Sequence, residues 1–294
     1  MLHGWIVLDK PVALGSTTAV SAVKRILREA GEPRTKVGHG GTLDPLASGV
    51  LPIALGEATK LCGHALEASK CYEFSIRFGE ETDTLDTEGK VVRRTDVVPG
   101  LEEVRAVLPE FTGEIVQVPP AFSALKIEGR PAYARARDGE IVEPRPRTVT
   151  IFDLSLLDAK ADSVTLAARV SKGTYIRSLA RDIARRLGSL GHVSYLRRTR
   201  SGPFSLEQAI SLDFLEEAAK GRALTRTVLP LDAALDDIPA LPVTSRQAEM
   251  LRQGQRLFGI PAKPGLCMAT LEGTPVALVE ATADGLRVVR GFNL

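Results

Sequence analysis

The sequence predicts an α+β fold in which a mixed, mainly antiparallel sheet is followed by a small β-rich C-terminal domain. At about 150 residues per domain, a chain of 294 residues suggests two domains. Strand-like segments between residues 70 and 171 follow one another with a single helix among them, which differs from the regular alternation of a βαβ repeat. The 44% apolar and 25% charged residues are typical of a globular protein, so disorder and fibrous repeats are excluded.

The first elements predicted are a strand, a helix and a basic loop. Residues 4–8 (GWIVL) form an apolar run typical of a buried strand. Ser16 or Thr17 is predicted to cap a helix whose apolar residues recur every three to four positions until Gly31. Residues 32–42 combine glycine and proline with basic side chains, which predicts an exposed irregular loop.

Alternating apolar and polar residues predict the central strands. Between residues 70 and 79, Tyr72, Phe74 and Ile76 share one face and polar side chains occupy the other, as in a half-buried strand. On this pattern alone, Tyr72 is a core residue. Further strands are predicted at residues 114–118, 121–127, 147–156 and 164–171, with helices at residues 101–108 and 174–187.

A second domain is predicted to begin near residue 233. Residues 229–242 carry three prolines and an acidic run, a composition that suits a connector. Residues 243–294 then hold one short helix pattern and three brief strand candidates. We therefore expect domains at residues 1–232 and 233–294.

Charge is distributed unevenly along a nearly neutral chain. The 38 basic and 36 acidic residues leave a net charge of +2, yet residues 169–200 hold nine basic residues and one acid. Residues 80–103 have the opposite charge balance, with eight acids and three bases. The pattern predicts an electrically polarised molecule whose basic strip attracts RNA or DNA. The alternative is a helix that exposes arginines on its solvated side.

Cysteine content and hydropathy favour a cytoplasmic protein without a metal. Cys62, Cys71 and Cys267 are too few and too scattered for a disulfide framework or a zinc site. The longest apolar run, residues 46–56, is broken by Pro52, so neither a targeting segment nor a membrane span is expected.

One carboxylate stands out in the glycine-rich basic loop. Asp44 follows Gly40 and Gly41, which permit close approach of a ligand, and precedes Pro45, which favours an extended backbone. With no second acid nearby, Asp44 fits a nucleophile, an ion-pair partner, or the cap of a short helix or strand at residues 46–55. His39 fits either a hydrogen-bonding loop residue or a phosphate contact.

Six motifs occur in order along the chain. They are GHGGTLDPLASGVLPIALGEATK (38–60), KCYEF (70–74), TDTLDTEG (82–89), PPAFSALKIEGRPAY (119–133), SKGTYIRSLARDI (171–183) and YLRRTRSGPF (195–204). Together they resemble the bacterial TruB family of tRNA pseudouridine synthases over residues 3–205. The resemblance implies that the protein converts uridine 55 in the T loop of tRNA to pseudouridine without metal or organic cofactor. The C-terminal stretch resembles the RNA-binding PUA-type module more loosely, and we expect a monomer.

The resemblance also implies roles for individual residues. Asp44 matches the essential nucleophile, Tyr72 the residue that stacks on the target base and is implicated in proton removal, and Arg177 the partner of the aspartate. Leu196 matches the residue packed beneath the site. Substrate contacts are expected from His39, Lys10, Lys60, Arg197 and Arg198. The segment after Lys10 and Pro11 is one or two residues longer than the family pattern.

Two other classes of function compete with this interpretation. A non-catalytic tRNA-binding or folding factor would use the basic strip without the carboxylate. A small-molecule glycosyl transferase would use Asp44 without the strip, and its binding would be nearly independent of salt, unlike binding to several phosphates.

Overall fold

The computed structural model describes residues 1–123, 125–127, 129–138, 140, 142 and 144–294. The strands are β1 (Gly4–Lys10), β2 (Val37–His39), β3 (Ser48–Leu55), β4 (Lys70–Phe78), β5 (Glu80–Thr82), β6 (Val91–Arg94), β7 (Gly113–Gln117), β8 (Lys126–Ile127), β9 (Arg130–Pro131), β10 (Arg147–Ala159), β11 (Ser163–Val170), β12 (Gly191–Ser201), β13 (Phe204–Ser205), β14 (Ala240–Pro242), β15 (Gly265–Leu271), β16 (Thr274–Thr282) and β17 (Gly285–Gly291). The helices are α1 (Ser16–Glu29), α2 (Cys62–Glu67), α3 (Leu101–Val107), α4 (Ala132–Arg137), α5 (Ile176–Arg186), α6 (Leu212–Lys220) and α7 (Ser245–Arg252).

The central sheet has the strand order β1-β3-β12-β4-β11-β10-β7, with β2 beside β3 and β13 beside β12. Its pairs are antiparallel except for β3 and β12, which run parallel. The predicted α+β class with a mixed, mainly antiparallel sheet is confirmed. Because β12 is inserted between β3 and β4, a late segment of the chain lies beside the loop that precedes β3.

Helices α1 and α5 pack into the main core through their apolar stripes. Val20, Val23 and Ile26 of α1 are buried in the same cluster as Leu179 and Ile183 of α5. The predicted helices are confirmed, but the predicted cap of α1 is wrong. Gly15 precedes the helix without a side-chain cap, because the Ser16 hydroxyl is engaged elsewhere.

A second sheet, β14-β15-β16-β17, forms the C-terminal part with α7. A core cluster containing Trp5, Phe204, Met268 and Phe292 joins it to the first sheet. The Trp5 indole also donates to the Leu231 carbonyl at 3.0 Å, so the predicted connector packs against β1. The β-rich C-terminal part is confirmed, and the boundary between residues 232 and 233 stays a prediction.

Two local predictions need correction. The loop predicted at residues 32–42 contains β2, which pairs with β3 and satisfies its backbone groups there. In the strand predicted at residues 121–127, only Lys126–Ile127 is a strand, and Ala124 lies outside the described residues.

Candidate active site

Asp44 lies in the loop between β2 and β3, and side chains from elsewhere hold the backbone on both sides of it. The Ser16 hydroxyl donates to the Leu43 carbonyl and accepts from the Leu43 N–H, each at 2.8 Å. On the other side, Lys10 Nζ donates to the Pro45 carbonyl at 3.3 Å. A side chain whose supporting backbone is held in this way keeps one orientation toward a ligand.

Lys10 supports the site from inside the protein. It is fully buried, and its ammonium also donates to the Pro11 and Leu14 carbonyls at 2.9 and 2.7 Å. Burial lowers the pKa of Lys10 from 10.5 to about 8. An ammonium has three protons to donate, and all three are used here to hold backbone carbonyls. The substrate contact expected from Lys10 stays a prediction. The longer segment after Pro11 wraps around this ammonium.

Arg177, the second residue of α5, approaches Asp44 from the opposite side. Its Nε lies 2.9 Å from Oδ2 of Asp44, and its Nη1 lies 3.2 Å from Oδ2 of Asp86. Nη1 and Nη2 donate to the carbonyls of Thr84 and Phe122. The structure therefore contains the ion pair that the resemblance implies and shares the guanidinium with a second carboxylate. The catalytic roles of the pair stay predictions.

The two partners differ in their access to a ligand. The Asp44 side chain is 33% exposed, whereas the Arg177 side chain is 6% exposed. The Nε–H of Arg177 does not point at the carboxylate, and within the described part of the chain it has no hydrogen-bond acceptor. A ligand can thus contact Asp44 while Arg177 supplies charge from behind it.

A cavity of about 330 Å³, called the sheet cavity here, opens beside Asp44. It is lined by Tyr72 on β4 and Leu196 on β12, together with Asp44 and Arg177. Its volume is within the range of about 300–1,000 Å³ found for small-molecule sites. Tyr72 is half-buried and Leu196 is 5% exposed. Four residues that the sequence analysis named separately therefore line one cavity.

A second cavity of about 700 Å³, called the loop cavity here, lies on the other side of the ion pair. It is lined by His39, the start of α1 and the acids Asp83, Asp86 and Glu88. Burial and the positive charge of Arg198 lower the pKa of His39. Its Nδ1 accepts the Gly41 N–H at 3.4 Å, which requires an unprotonated nitrogen. Burial, Asp86 and Asp44 raise the pKa of Glu88.

The remaining predicted contacts are dispersed. Lys60 lines neither cavity; its ammonium binds Glu57 at 2.6 Å and the Gly291 carbonyl at 2.9 Å, at the junction with the C-terminal sheet. Arg197 pairs with Asp9 at 2.8 Å. Arg198 lines the sheet cavity but is 1% exposed. Substrate contacts by Lys60, Arg197 and Arg198 stay predictions.

Two residues of the site were missed by the sequence analysis. Ser16 was interpreted as a helix cap, and Asp86 was counted only as part of an acidic run. Asp86 is 1% exposed and accepts from the Thr84 hydroxyl at 2.5 Å and the Glu88 N–H at 3.0 Å. Its position within the TDTLDTEG motif was the available signal. For Ser16 no local signal exists, because Leu43 is 27 residues away.

The two oppositely charged runs contact each other through two ion pairs in the described ranges, and the predicted polarisation of the molecule stays a prediction. Arg185 of the basic strip donates to both oxygens of Glu81 at 3.0 Å, and Arg177 contacts Asp86. Six of the nine basic residues in the strip form ion pairs, and Arg198 is buried. The observation that favoured a binding factor without catalysis is thereby weakened.

Neither a metal cluster nor a membrane helix is found in the described ranges. Among those residues, no group of three or more His, Cys, Asp and Glu side chains is arranged to hold a metal ion. The same ranges contain no helix whose length and hydropathy would let it cross a bilayer.

Comparisons with known proteins agree on one family. The model for TruB family pseudouridylate synthase (N terminal domain) matches residues 24–176, and that for the tRNA pseudouridylate synthase B C-terminal domain matches residues 177–236. The protein named tRNA pseudouridine synthase B from Zymomonas mobilis is 61% identical over 292 residues, covering 99% of this chain and 96% of that protein. Its namesake from Novosphingobium aromaticivorans is 57% identical, covering 100% and 98%.

Solved structures share the fold over nearly the whole chain. A chain from the "Structure of H/ACA RNP bound to a substrate RNA containing 2'-deoxyuridine" has a TM-score of 0.76 and 27% identity, covering 99% of this chain and 86% of that one. A chain from the "Crystal Structure of a Cbf5-Nop10-Gar1 Complex" has a TM-score of 0.75 and 30% identity, covering 99% and 84%. With motifs, fold and relatives in agreement, the chain belongs to the TruB family of pseudouridylate synthases and is an isomerase.

Proposed function

We propose that this enzyme converts uridine 55 in the T loop of tRNA to pseudouridine, with Asp44 as the nucleophile. The observation that carries the proposal is the Asp44–Arg177 ion pair at the wall of the sheet cavity, 2.9 Å between Nε and Oδ2. A positive charge beside a carboxylate favours its ionised form, which is the form able to act as a nucleophile. The names of the relatives support tRNA as the substrate.

The chemistry needs a nucleophile and a pocket that retains a free base. The bond from ribose C1′ to ring N1 breaks, the uracil turns, and a bond from C1′ to ring C5 forms. The proton on C5 then leaves, and N1 ends with a proton. Asp44 bonds transiently to the electron-poor centre and is released with its electron pair before the product leaves, so no atom or electron is gained or lost overall.

Tyr72 and Leu196 are proposed to hold the base in the sheet cavity. Extruding a base from a folded loop costs a few kcal/mol, and stacking on an aromatic side chain recovers about 1–3 kcal/mol. Tyr72 is half-buried at the cavity wall, and Leu196 lies on the neighbouring strand. Tyr72 is also proposed to assist removal of the C5 proton.

The rest of the molecule is proposed to bind the tRNA outside the cavity. His39, Lys60 and Arg197 contact the RNA around the T arm, and residues 233–294 act as a PUA-like RNA-binding domain joined to a catalytic domain of residues 1–232. We propose that the enzyme acts as a monomer. Three unpaired cysteines favour the cytoplasm.

Release of tritium tests this function directly. T-arm RNA carrying tritium at uracil C5 is incubated with the wild-type protein and with Asp44→Asn. We expect release by the wild type and none above background by Asp44→Asn, while both bind the RNA with equal affinity. Wild type that releases no tritium, or Asp44→Asn that releases it at the same rate, would contradict the proposal.

A further inference from the structure

We propose that Arg198 is a positioning residue for this reaction, whose side chain holds the Asp44 loop against the sheet cavity. The proposal rests on the proposed role of Asp44 and goes beyond it, because Arg198 acts through the backbone and leaves the reacting atoms to Asp44. It differs from the RNA contact that the sequence analysis expected from this arginine.

The guanidinium of Arg198 connects both sides of the Asp44 loop. Nε donates to the Val50 carbonyl at 2.7 Å, in β3 after the loop. Nη2 donates to the Gly41 carbonyl at 3.0 Å and Nη1 to the Thr42 carbonyl at 3.3 Å, both before Asp44. The rigid fork of an arginine can hold several acceptors in a fixed relation. Here it joins the two ends of a segment whose middle carries the carboxylate.

This arginine is buried without a carboxylate partner. Arg198 is 1% exposed, and within the described ranges it forms no ion pair. Burying a charge is costly unless hydrogen bonds satisfy it, and two carbonyls of the Asp44 loop and one of β3 supply them. Its charge also reaches the neighbours, since it contributes to lowering the pKa of His39, Lys10 and Lys70. Because burying the Arg198 guanidinium costs free energy, its presence in the lining of the sheet cavity indicates a role at that site.

The backbone of Arg198 meets the same segment. Arg198 is in register with Gly49 where β12 runs parallel to β3. Gly49 has φ +101°, and a Cβ there would lie 2.2 Å from the Arg198 carbonyl oxygen, so only glycine allows this approach. Strand β12 thus contacts the loop segment through both the backbone and the side chain of one residue. Any shift of Arg198 is transmitted to Asp44.

Neighbouring Arg197 provides a contrast on the same strand. Its guanidinium donates to Asp9 at 2.8 Å and to the Ser48 hydroxyl at 3.3 Å, and it lines neither cavity. Arg197 therefore keeps an ordinary ion pair and partial exposure, whereas Arg198 is withdrawn from solvent and from every carboxylate of the described chain. Although Arg197 and Arg198 are neighbours on β12, only Arg198 lines the sheet cavity and holds the Asp44 loop.

The test compares Arg198→Met and Arg198→Lys with the wild type on T-arm RNA. A displacement of about 1 Å costs on the order of 10²-fold in rate. We expect Arg198→Met to lower kcat by about 10²-fold with KM changed by less than about threefold, because the misplaced carboxylate affects chemistry rather than binding. Arg198→Lys keeps the charge and part of the hydrogen bonding, so it should retain a higher kcat than Arg198→Met. If Arg198→Met does not fold, Arg198→Lys is expected to fold and serves as the test variant.

Chemical rescue by guanidinium distinguishes a positioning role of Arg198 from a purely structural one. Arg198→Ala opens a space continuous with the sheet cavity, which Arg198 lines. Guanidinium chloride well below denaturing concentrations should restore part of kcat in Arg198→Ala. Sodium chloride at the same ionic strength should not, and neither salt should raise kcat in the wild type.

A surface arginine serves as the matched control. Arg77→Met, on β4 with a side chain 55% exposed, should leave kcat and KM unchanged. An unchanged kcat in folded Arg198→Met, a rise in KM alone, or activity loss without guanidinium rescue would overturn the proposal. Failure of the proposed function is distinguishable, because then the wild type itself would release no tritium.

Discussion

The two cavities that meet at the Asp44–Arg177 ion pair are built from different parts of the fold and carry different charge. The sheet cavity is lined by residues of paired strands, such as Tyr72 and Leu196, and by the cations Lys70 and Arg198. The loop cavity is larger, about 700 against 330 Å³, and is lined by the start of α1 and by three acids besides Asp44.

The difference indicates which side receives the nucleotide. A polyanion is attracted to positive potential and repelled by acids, so the sheet cavity is the favourable entry for an extruded uridine. Paired strands also keep Tyr72 and Leu196 at fixed spacing, since Leu196 is in register with Phe74, two residues beyond Tyr72. The loop cavity instead supports Arg177 from behind through Asp86.

The largest effect on stability is expected from replacing Arg177, which lines both cavities. Arg177→Met leaves the buried Asp86 carboxylate, whose side chain is 2% exposed, without its cation. Breaking a buried ion pair costs about 3–5 kcal/mol, so we expect the free energy of unfolding to fall by about that amount. Urea unfolding measures it, and single-turnover tritium release should be lost as well.

The control for that variant lies on the same helix. Arg186 pairs with Glu110 at the surface, where both side chains are about half exposed, 58% and 48%. Arg186→Met should change the free energy of unfolding by less than about 1 kcal/mol. Equal losses of unfolding free energy in Arg177→Met and Arg186→Met would show that the Arg177–Asp86 pair stabilises the fold no more than a surface ion pair does.

The next largest effect on stability is expected from shortening Leu196, which lines the sheet cavity. Leu196→Ala should lower the free energy of unfolding by about 2–3 kcal/mol, the lower part of the range for buried leucines, because the space opens onto an existing cavity. It should also slow tritium release. Leu157→Ala, at a side chain 53% exposed, is the control and should have little effect on either quantity. If both variants unfold alike, the described packing of Leu196 is wrong.

The stacking role of Tyr72 predicts a smaller and more specific effect. Tyr72→Phe keeps the ring and Tyr72→Leu removes it, so their comparison isolates stacking from any role of the hydroxyl. We expect single-turnover tritium release to be about 5–150-fold slower in Tyr72→Leu than in Tyr72→Phe, which corresponds to about 1–3 kcal/mol. Identical rates in the two variants would assign Tyr72 to the core, as alternation alone suggested.

The smallest effect is expected in the loop cavity, from His39. Burial holds the pKa of His39 below its ordinary value of 6.5, so below pH 6.5 the unfolded chain binds more protons than the folded one. Wild-type stability therefore falls as the pH decreases from 6.5 through the folded pKa. In His39→Gln this contribution is absent, so thermal unfolding midpoints of the two proteins should converge or cross on acidification. A wild type that gains stability relative to His39→Gln at acid pH would contradict the assignment.

Local patterns predicted the elements that carry their own periodicity. The β4 strand, α1 and α5 follow directly from the spacing of their apolar residues. Charge along the chain was a poorer guide, since Arg177 and Arg185 of the basic strip pair with Asp86 and Glu81 of the acidic run. A linear count cannot tell a solvated arginine from one that faces a carboxylate a hundred residues away.

Motif order in the sequence was sufficient to indicate the family and to single out Asp44, Tyr72, Arg177 and Leu196, because each motif is a local string of residues. Which polar side chains support that group was decided by the tertiary structure. From the sequence, Lys10 and Arg198 look like substrate contacts and Ser16 like a helix cap, yet each hydrogen-bonds the backbone around Asp44. The physical reason is that a hydrogen bond depends on distance in space, and only the pairing of β3 with β1 on one side and with β12 on the other brings Lys10 and Arg198 to this loop.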